Sequence, residues 1–374
     1  MKKLLIIFLT LSISYTIDAQ GFNIPTDRYF LSFGNSKNFS GLRFNFKDKN
    51  INQINGINVT VWNANDRYIS GTINGLAIGL PMAYGSSKLN GVSFAILGVG
   101  AKDEVNGISV AGLAVGAGGN INGINISGLA TGAGGSINGI NLGSLAVGAG
   151  ENVNGISISG LATGAGNNIS GINIGGLAVG AGQDVTGITM GGIAAGAGGK
   201  MQGVNIGGVA VGAGEDVTGI NIGGVAVGAG EDLIGLNLGG IAIGGGGKVN
   251  GINISGVAIG AGDEVVGINI AGAAIGAPYV NGFSVAPVIG GKYVSGLNVA
   301  PLYFTIRSDQ EKLGIQRGVA VSSFNHIKGE QRGLTIGILN IADHLEGVQI
   351  GLINIAKSNK KGLKVLPIFN GPFH

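Results

Sequence analysis

Gly219-Ile-Asn-Ile-Gly-Gly-Val-Ala-Val-Gly-Ala-Gly-Glu-Asp-Leu-Ile234 is one unit of a sixteen-residue repeat, and its reading decides the fold. Glycine returns at the first position of this unit from Gly75 to Gly267, over twelve unbroken intervals of 16. A fixed period of this kind marks a repeat architecture whose single units are too small to bury a face alone. Looser copies begin at Gly41 and Gly56 upstream. Downstream they begin at Gly282, Gly296, Gly318, Gly333, Gly347 and Gly362.

With Gly219 as position 1, apolar residues occupy positions 2 and 4 (Ile220, Ile222) and positions 7 and 9 (Val225, Val227). Each pair alternates with a small or polar residue, the period-2 mark of a strand. The two pairs have opposite parity, so a corner at positions 5 and 6 is needed to return them to one side. A second turn falls at positions 12 to 14. Helix is disfavoured, because each helical glycine costs about 1 kcal/mol relative to alanine. The pattern predicts positions 2, 4, 7, 9 and 15 inward and position 3 outward. On that facing, Ile222→Asp disrupts neighbouring coils and Asn221→Ser is nearly silent.

Two arrangements fit these strands: a parallel β-solenoid with one coil per unit, or an antiparallel meander with one hairpin per unit. Three observations favour the solenoid. Prolines stand at position 6 in flanking units (Pro287, Pro301, Pro367), where a type I′ hairpin demands a positive φ that proline cannot adopt. Position 3 is a run of Asn, Ser and Thr that stacking would turn into a ladder of amides and hydroxyls, as in cross-β structure. Position 14 reads Asp184, Lys200, Asp216, Asp232, Lys248, Glu264, so stacking brings opposite charges together in four of five steps. The fold expected is an all-β, parallel β-solenoid of about twenty coils of 14–16 residues with aromatic-rich caps.

Composition agrees with this. Glycine supplies 77 of 374 residues, charged residues only 11%, and apolar residues 45%. That is too apolar for a disordered linker, and glycine does not fall at every third position as collagen requires. The absence of cysteine removes disulfides, thiolate metal sites and cysteine nucleophiles. A net charge of +3 gives no reason to expect nucleic acid as a partner. Residues 105–280 carry −6 and the remainder +9.

Met1 to Ala19 reads as a secretory signal: Lys2 and Lys3, an apolar run from Leu4 to Leu9 with Leu11 and Ile13, and Ile17-Asp18-Ala19 before Gln20. The organisation expected is 1–19 signal peptide, 20–74 N-terminal β cap with irregular repeats, 75–282 regular array, and 283–374 looser repeats with a C-terminal cap. In residues 20–74 the aromatics Phe22, Tyr29, Phe30, Phe33, Phe39, Phe44, Phe46 and Trp62 are expected to close the open core. Charges there would blunt exposed edges.

The stretch Gly333-Leu-Thr-Ile-Gly-Ile-Leu-Asn-Ile-Ala342, then Gly347-Val-Gln-Ile-Gly-Leu-Ile-Asn-Ile-Ala356, then Leu366-Pro-Ile-Phe-Asn370 resembles a bacterial family of surface repeat-containing proteins. Units of that family run Gly-apolar-Gln-Ile-Gly-Leu-apolar-Asn and close in Leu-Pro-x-x-Asn. The resemblance is best over residues 318–370 and weaker in the central array, where Ala replaces Asn at position 8. It implies export to the cell surface or outer membrane of a Gram-negative bacterium and carries over no catalytic residues. More distantly, Val257-Ala-Ile-Gly-Ala-Gly262 is similar to head repeats of trimeric autotransporter adhesins, which form parallel β-rolls. No coiled-coil stalk or separate membrane anchor accompanies it here.

No catalytic, cofactor-binding or metal-binding residue set is expected, and no cofactor. Gly-x-Gly-x-x-Gly matches arise by chance in so glycine-rich a chain and lie in no strand–helix unit. Asp343-His344-x-Glu346 reads as a solvated turn, and His326, at inward position 9, as half-buried packing. Stacked Glu215-Asp216 and Glu231-Asp232 offer oxygen ligands of the kind Ca²⁺ takes, but Lys200 and Lys248 flank them. Thr131 and Thr163 sit at inward position 9. Alanine fills position 8 from Ala114 to Ala274, a smooth strip that, with the outward position-3 Asn ladder, is suited to self-association or to contact with a surface polymer. The function expected is that of an exported, non-enzymatic structural or adhesive element. The rival is an outer-membrane β-barrel, against which stand strands shorter than the 9–11 residues needed to span a bilayer.

Overall fold

The computed structural model describes residues 21–62, 67, 69–309 and 312–373; the expected signal, Met1–Ala19, lies outside them. The chain is a parallel β-solenoid of about twenty coils, and its elements among the described residues are strands. It divides into two compact units, one ending at Asn167 and one beginning at Asn168. In a regular coil a seven-residue strand such as Val217–Gly223 turns into a four-residue strand such as Ala226–Ala229. The first pairs in parallel with Leu233–Gly239 and the second with Ala242–Gly245, each residue stacking on its counterpart sixteen further on. Parallel stacking excludes both the meander and the barrel. Antiparallel pairing occurs where Phe22–Pro25 meets Tyr29–Phe33 and where Val348–Ala356 meets Val365–Asn370. The segment after Gly362 is therefore a returning strand and not a further coil.

The facing differs from the sequence expectation at four of the six positions assigned. Positions 9 and 15 do point inward, as Val227 and Val217 show. Positions 2, 4 and 7 do not: Ile220 is 40% exposed, Val225 39%, and Ile222 half-buried. Asn221, expected outward at position 3, is 0% exposed.

The reason lies in Gly219. Its φ is +113°, and a Cβ there would stand 2.1 Å from the carbonyl oxygen of Gly203. Only glycine lets the strand continue through this point. Alternation from inward position 15 then places 1, 3 and 5 on the inner side and 16, 2 and 4 on the outer side. The interior is too thin at the corner for larger side chains. A Cβ on Gly223 at position 5 would stand 2.0 Å from the Ala226 carbonyl oxygen. The core consequently holds one or two aliphatics per coil, a small residue at 5, and the position-3 amide.

That amide is satisfied by its neighbours in the stack. Asn205, Asn221, Asn237 and Asn253 each donate Nδ2–H to the Oδ1 of the next Asn, at 2.8–2.9 Å. Buried polar groups require such partners, and here stacking supplies them. Where hydroxyls replace Asn the chain of bonds stops: among the described residues Asn173 Nδ2 and Oδ1 and Thr189 Oγ1 have no side-chain or backbone partner. Thr131 and Thr163 are buried as expected, and Thr131 shares a 3.0 Å hydrogen bond with Ser127.

Candidate functional surface

The inverted facing leaves the outer surface of each coil with its largest aliphatics. In the unit ending at Asn167, Ile108, Ile124 and Ile140 form a position-2 row, and Leu113, Leu129, Leu145 and Leu161 a position-7 row. All are exposed. A shallow trough of about 290 Å³ lies beside Ile126, Leu142 and Ile158, floored by corner residues such as Ser127 and Ser144. In the unit beginning at Asn168 the same rows are Ile172, Ile188, Ile220, Ile252 and Ile268, and Leu177, Ile193, Val209, Val225, Ile241 and Val257. Soluble monomers rarely expose contiguous apolar patches larger than a few hundred Å².

Polar chemistry is confined to other edges of the coil. At position 16, Asn74, Asn90, Asn106, Asn122, Asn138 and Asn154 form a second, half-buried ladder at 2.7–2.9 Å. It donates toward the preceding coil, opposite in sense to the inner ladder. At position 14, Asp184 and Asp232 accept the backbone N–H of Lys200 and Lys248, each at 2.8 Å. Lys200 pairs with Asp216 at 2.8 Å and Lys248 with Glu264 at 3.7 Å, the alternation read from the sequence. The hydrogen bond to Asp216 raises the pKa of Lys200, and the same bond lowers that of Asp216.

The four stacked carboxylates do not converge: Asp216 is taken up by Lys200 and by the Asp232 N–H at 3.2 Å. Among the described residues no group of three or more His, Asp or Glu is arranged to hold a metal. Asp343 pairs with Lys357 at 2.7 Å and Glu346 with Arg332 at 3.1 Å. His326 is half-buried but lies on the outer side between inward Asn325 and Ile327, against Phe324 and the Tyr303 hydroxyl. Burial lowers its pKa, and the charges of Lys328 and Lys357 add to this.

The aromatics of the N-terminal coils do not close the core. Phe39 is 2% exposed, whereas Phe22, Tyr29, Phe30, Phe33, Phe44, Phe46 and Trp62 are exposed. Their place is taken by a charged network at inward positions 3 and 5. Arg43 NH1 donates to Asp48 Oδ1 and, at 2.5 Å, to Asn58 Oδ1. Thr60 Oγ1 donates to Asp48 Oδ2 at 2.7 Å, and Asn45 to Oδ1 at 3.0 Å. Burial alone would raise the Asp48 pKa. The Arg43 charge and the hydrogen bonds outweigh that and hold the carboxyl below its ordinary value.

Where the period shortens after Gly276, a half-open depression of about 570 Å³ is lined by Pro278, Lys292, Tyr303, Arg307 and Asp309. Lys292 is ion-paired to Asp309 there. Beyond it, the returning strand Val365–Asn370 carries Ile368 at φ +69° and 74% exposure. A β-branched residue in that region is strained by roughly 1–3 kcal/mol. Comparison with known proteins finds no matching family model, no similar curated protein and no similar solved structure.

Proposed function

We propose that the chain is an exported, non-enzymatic structural repeat protein of a bacterial surface that works by sideways association of its solenoid with a second copy. The observation that carries this reading is that, within each unit, the regular coils from Leu113 to Val257 each expose a Leu, Ile or Val at position 7, with a position-2 row of exposed Ile in most of the same coils. Side chains of this kind pack; they neither move protons nor hold a transition state. A second copy is the partner whose ridges and troughs repeat at the same ~4.8 Å spacing. Covering a half-exposed Ile or Leu gains on the order of 1 kcal/mol. A few coils in register therefore offset much of the roughly 4–15 kcal/mol cost of association.

The position-3 Asn ladder, once a candidate contact surface, is buried and takes no part. The Ala strip at position 8 is half-exposed and flanks the ridges. Export rests on the signal-like Met1–Ala19 stretch, and a surface location on the family resemblance of residues 318–370.

Sedimentation of the purified chain without detergent tests the association. The expected result is oligomers that dissociate when Val209, Val225, Ile241 and Val257 are changed to Ser. A wild-type monomer at all concentrations contradicts it. Protease shaving of intact cells tests the location: surface exposure predicts cleavage without lysis, and full protection argues against it.

A further inference from the structure

The segment joining Val348–Ala356 to Val365–Asn370 reads Lys357-Ser-Asn-Lys-Lys-Gly-Leu-Lys364. Lys357 pairs with Asp343, whereas Lys360, Lys361 and Lys364 are exposed and have no ion pair among the described residues. Directly beside these lysines stand Leu363, Val365, Ile368 and Phe369, all exposed. Phe369 registers with Ile350, and Ile350 with Ile336, so three exposed apolar side chains form one row across neighbouring strands. Ile368 holds a left-handed backbone conformation while presenting nearly three-quarters of its surface to solvent.

We infer that the Lys357–Phe369 hairpin is a docking element for an anionic lipid surface. Its lysines meet phosphate-bearing headgroups, and Leu363, Val365, Ile368 and Phe369 enter the acyl boundary. Each lysine held near an anionic leaflet contributes about 1 kcal/mol, and adjacent apolar side chains supply the insertion that charge alone lacks. The rival occupant, the acidic position-14 edge of a second copy, is less well matched. Lys200 and Lys248 interrupt that edge, and Gly and Ala flank it, leaving nothing for Ile368 and Phe369 to enter. This inference is independent of the sideways association proposed above, which uses the array.

Flotation of the full chain with phosphatidylcholine vesicles, with and without phosphatidylglycerol, is the test. Binding to the anionic vesicles is expected to be on the order of a hundred-fold stronger, at ~1 kcal/mol per lysine. The combined change Lys360→Glu, Lys361→Glu and Lys364→Glu should abolish that preference while leaving far-UV circular dichroism and sedimentation unchanged. Ile368→Ser with Phe369→Ser should weaken binding to both vesicle types. Equal binding to the two vesicle types, no binding to either, or full retention of the preference by the triple variant overturns the inference. Loss of self-association in the triple variant, without vesicle binding by the wild type, assigns the lysines to a second copy and also overturns it.

Discussion

The inward slot at position 3 is filled in two ways. In the regular array it holds mainly neutral Asn, in runs such as Asn205 to Asn269 where each amide bonds to the next, and the runs stop at Ser or Thr. In the N-terminal coils it holds Arg43 and then Asn58, with Asp48 folded in between. Both place a polar side chain at an inward position and satisfy it from within the core. The repeated amide shares the load among many equivalent links, so losing one leaves the others. The charged network concentrates it around one buried ion pair, Arg43 with Asp48, to which Asn45, Asn58 and Thr60 also bond. Repetition makes a core tolerant, and a unique ion pair makes it brittle.

The comparison is broken most sharply at the charged end. Arg43→Met strands a buried carboxylate and should cost about 3–5 kcal/mol. Trp62, the one tryptophan, lies in the strand Gln53–Trp62 beside this network and reports its loss in a urea titration followed by fluorescence. Acid should act in the same direction. The Asp48 pKa is lowered on folding, so its contribution is complete above about pH 4 and disappears as pH falls through the lowered value. The array's inner amides do not titrate, so Trp62 fluorescence should change at a higher pH than far-UV circular dichroism. Coincident acid transitions would erase the distinction.

In the array, Asn237→Ala leaves the Asn221 amide and the Asn253 carbonyl without partners. Each stranded group costs about 1–3 kcal/mol, and hydrogen exchange should rise in the adjoining coils alone. A rise throughout the array would mean that the load is not shared. The smallest effect is a gain. Thr189→Asn should join Asn173 to Asn205 and stabilise the chain by roughly 0.5–1.5 kcal/mol per bond formed. A measured loss would show that the slot is not interchangeable from coil to coil.

The parallel stack was legible from the strict period, the prolines Pro287 and Pro301 at position 6 and the charge alternation at position 14, all of which record vertical neighbours; Pro367 stands in the antiparallel returning strand instead. The facing was legible in part. Position 15 inward, as at Val217 and Leu233, matches the structure, but positions 2 and 4 are assigned inward without following alternation through Gly219. Carrying alternation through that glycine would have put Asn221 inside. The rule that aliphatics face inward misled at Ile220 and Val225, because it takes no account of how narrow the interior is. Small residues at position 5, Gly223 among them, were the available signal of that narrowness. Phe44 and Trp62 were misplaced by the same rule. The apolar ridges were hidden by it, and the lysine hairpin needed the exposure of Ile368 and Phe369, which sequence does not state.

The facing is tested most directly by single cysteines, since the chain has none of its own. Ile220→Cys and Asn221→Cys, each in dilute native protein, are to be titrated with a water-soluble thiol reagent. The account predicts rapid labelling at 220 and protection at 221 until the chain is unfolded. Labelling at 221 with protection at 220 would contradict it.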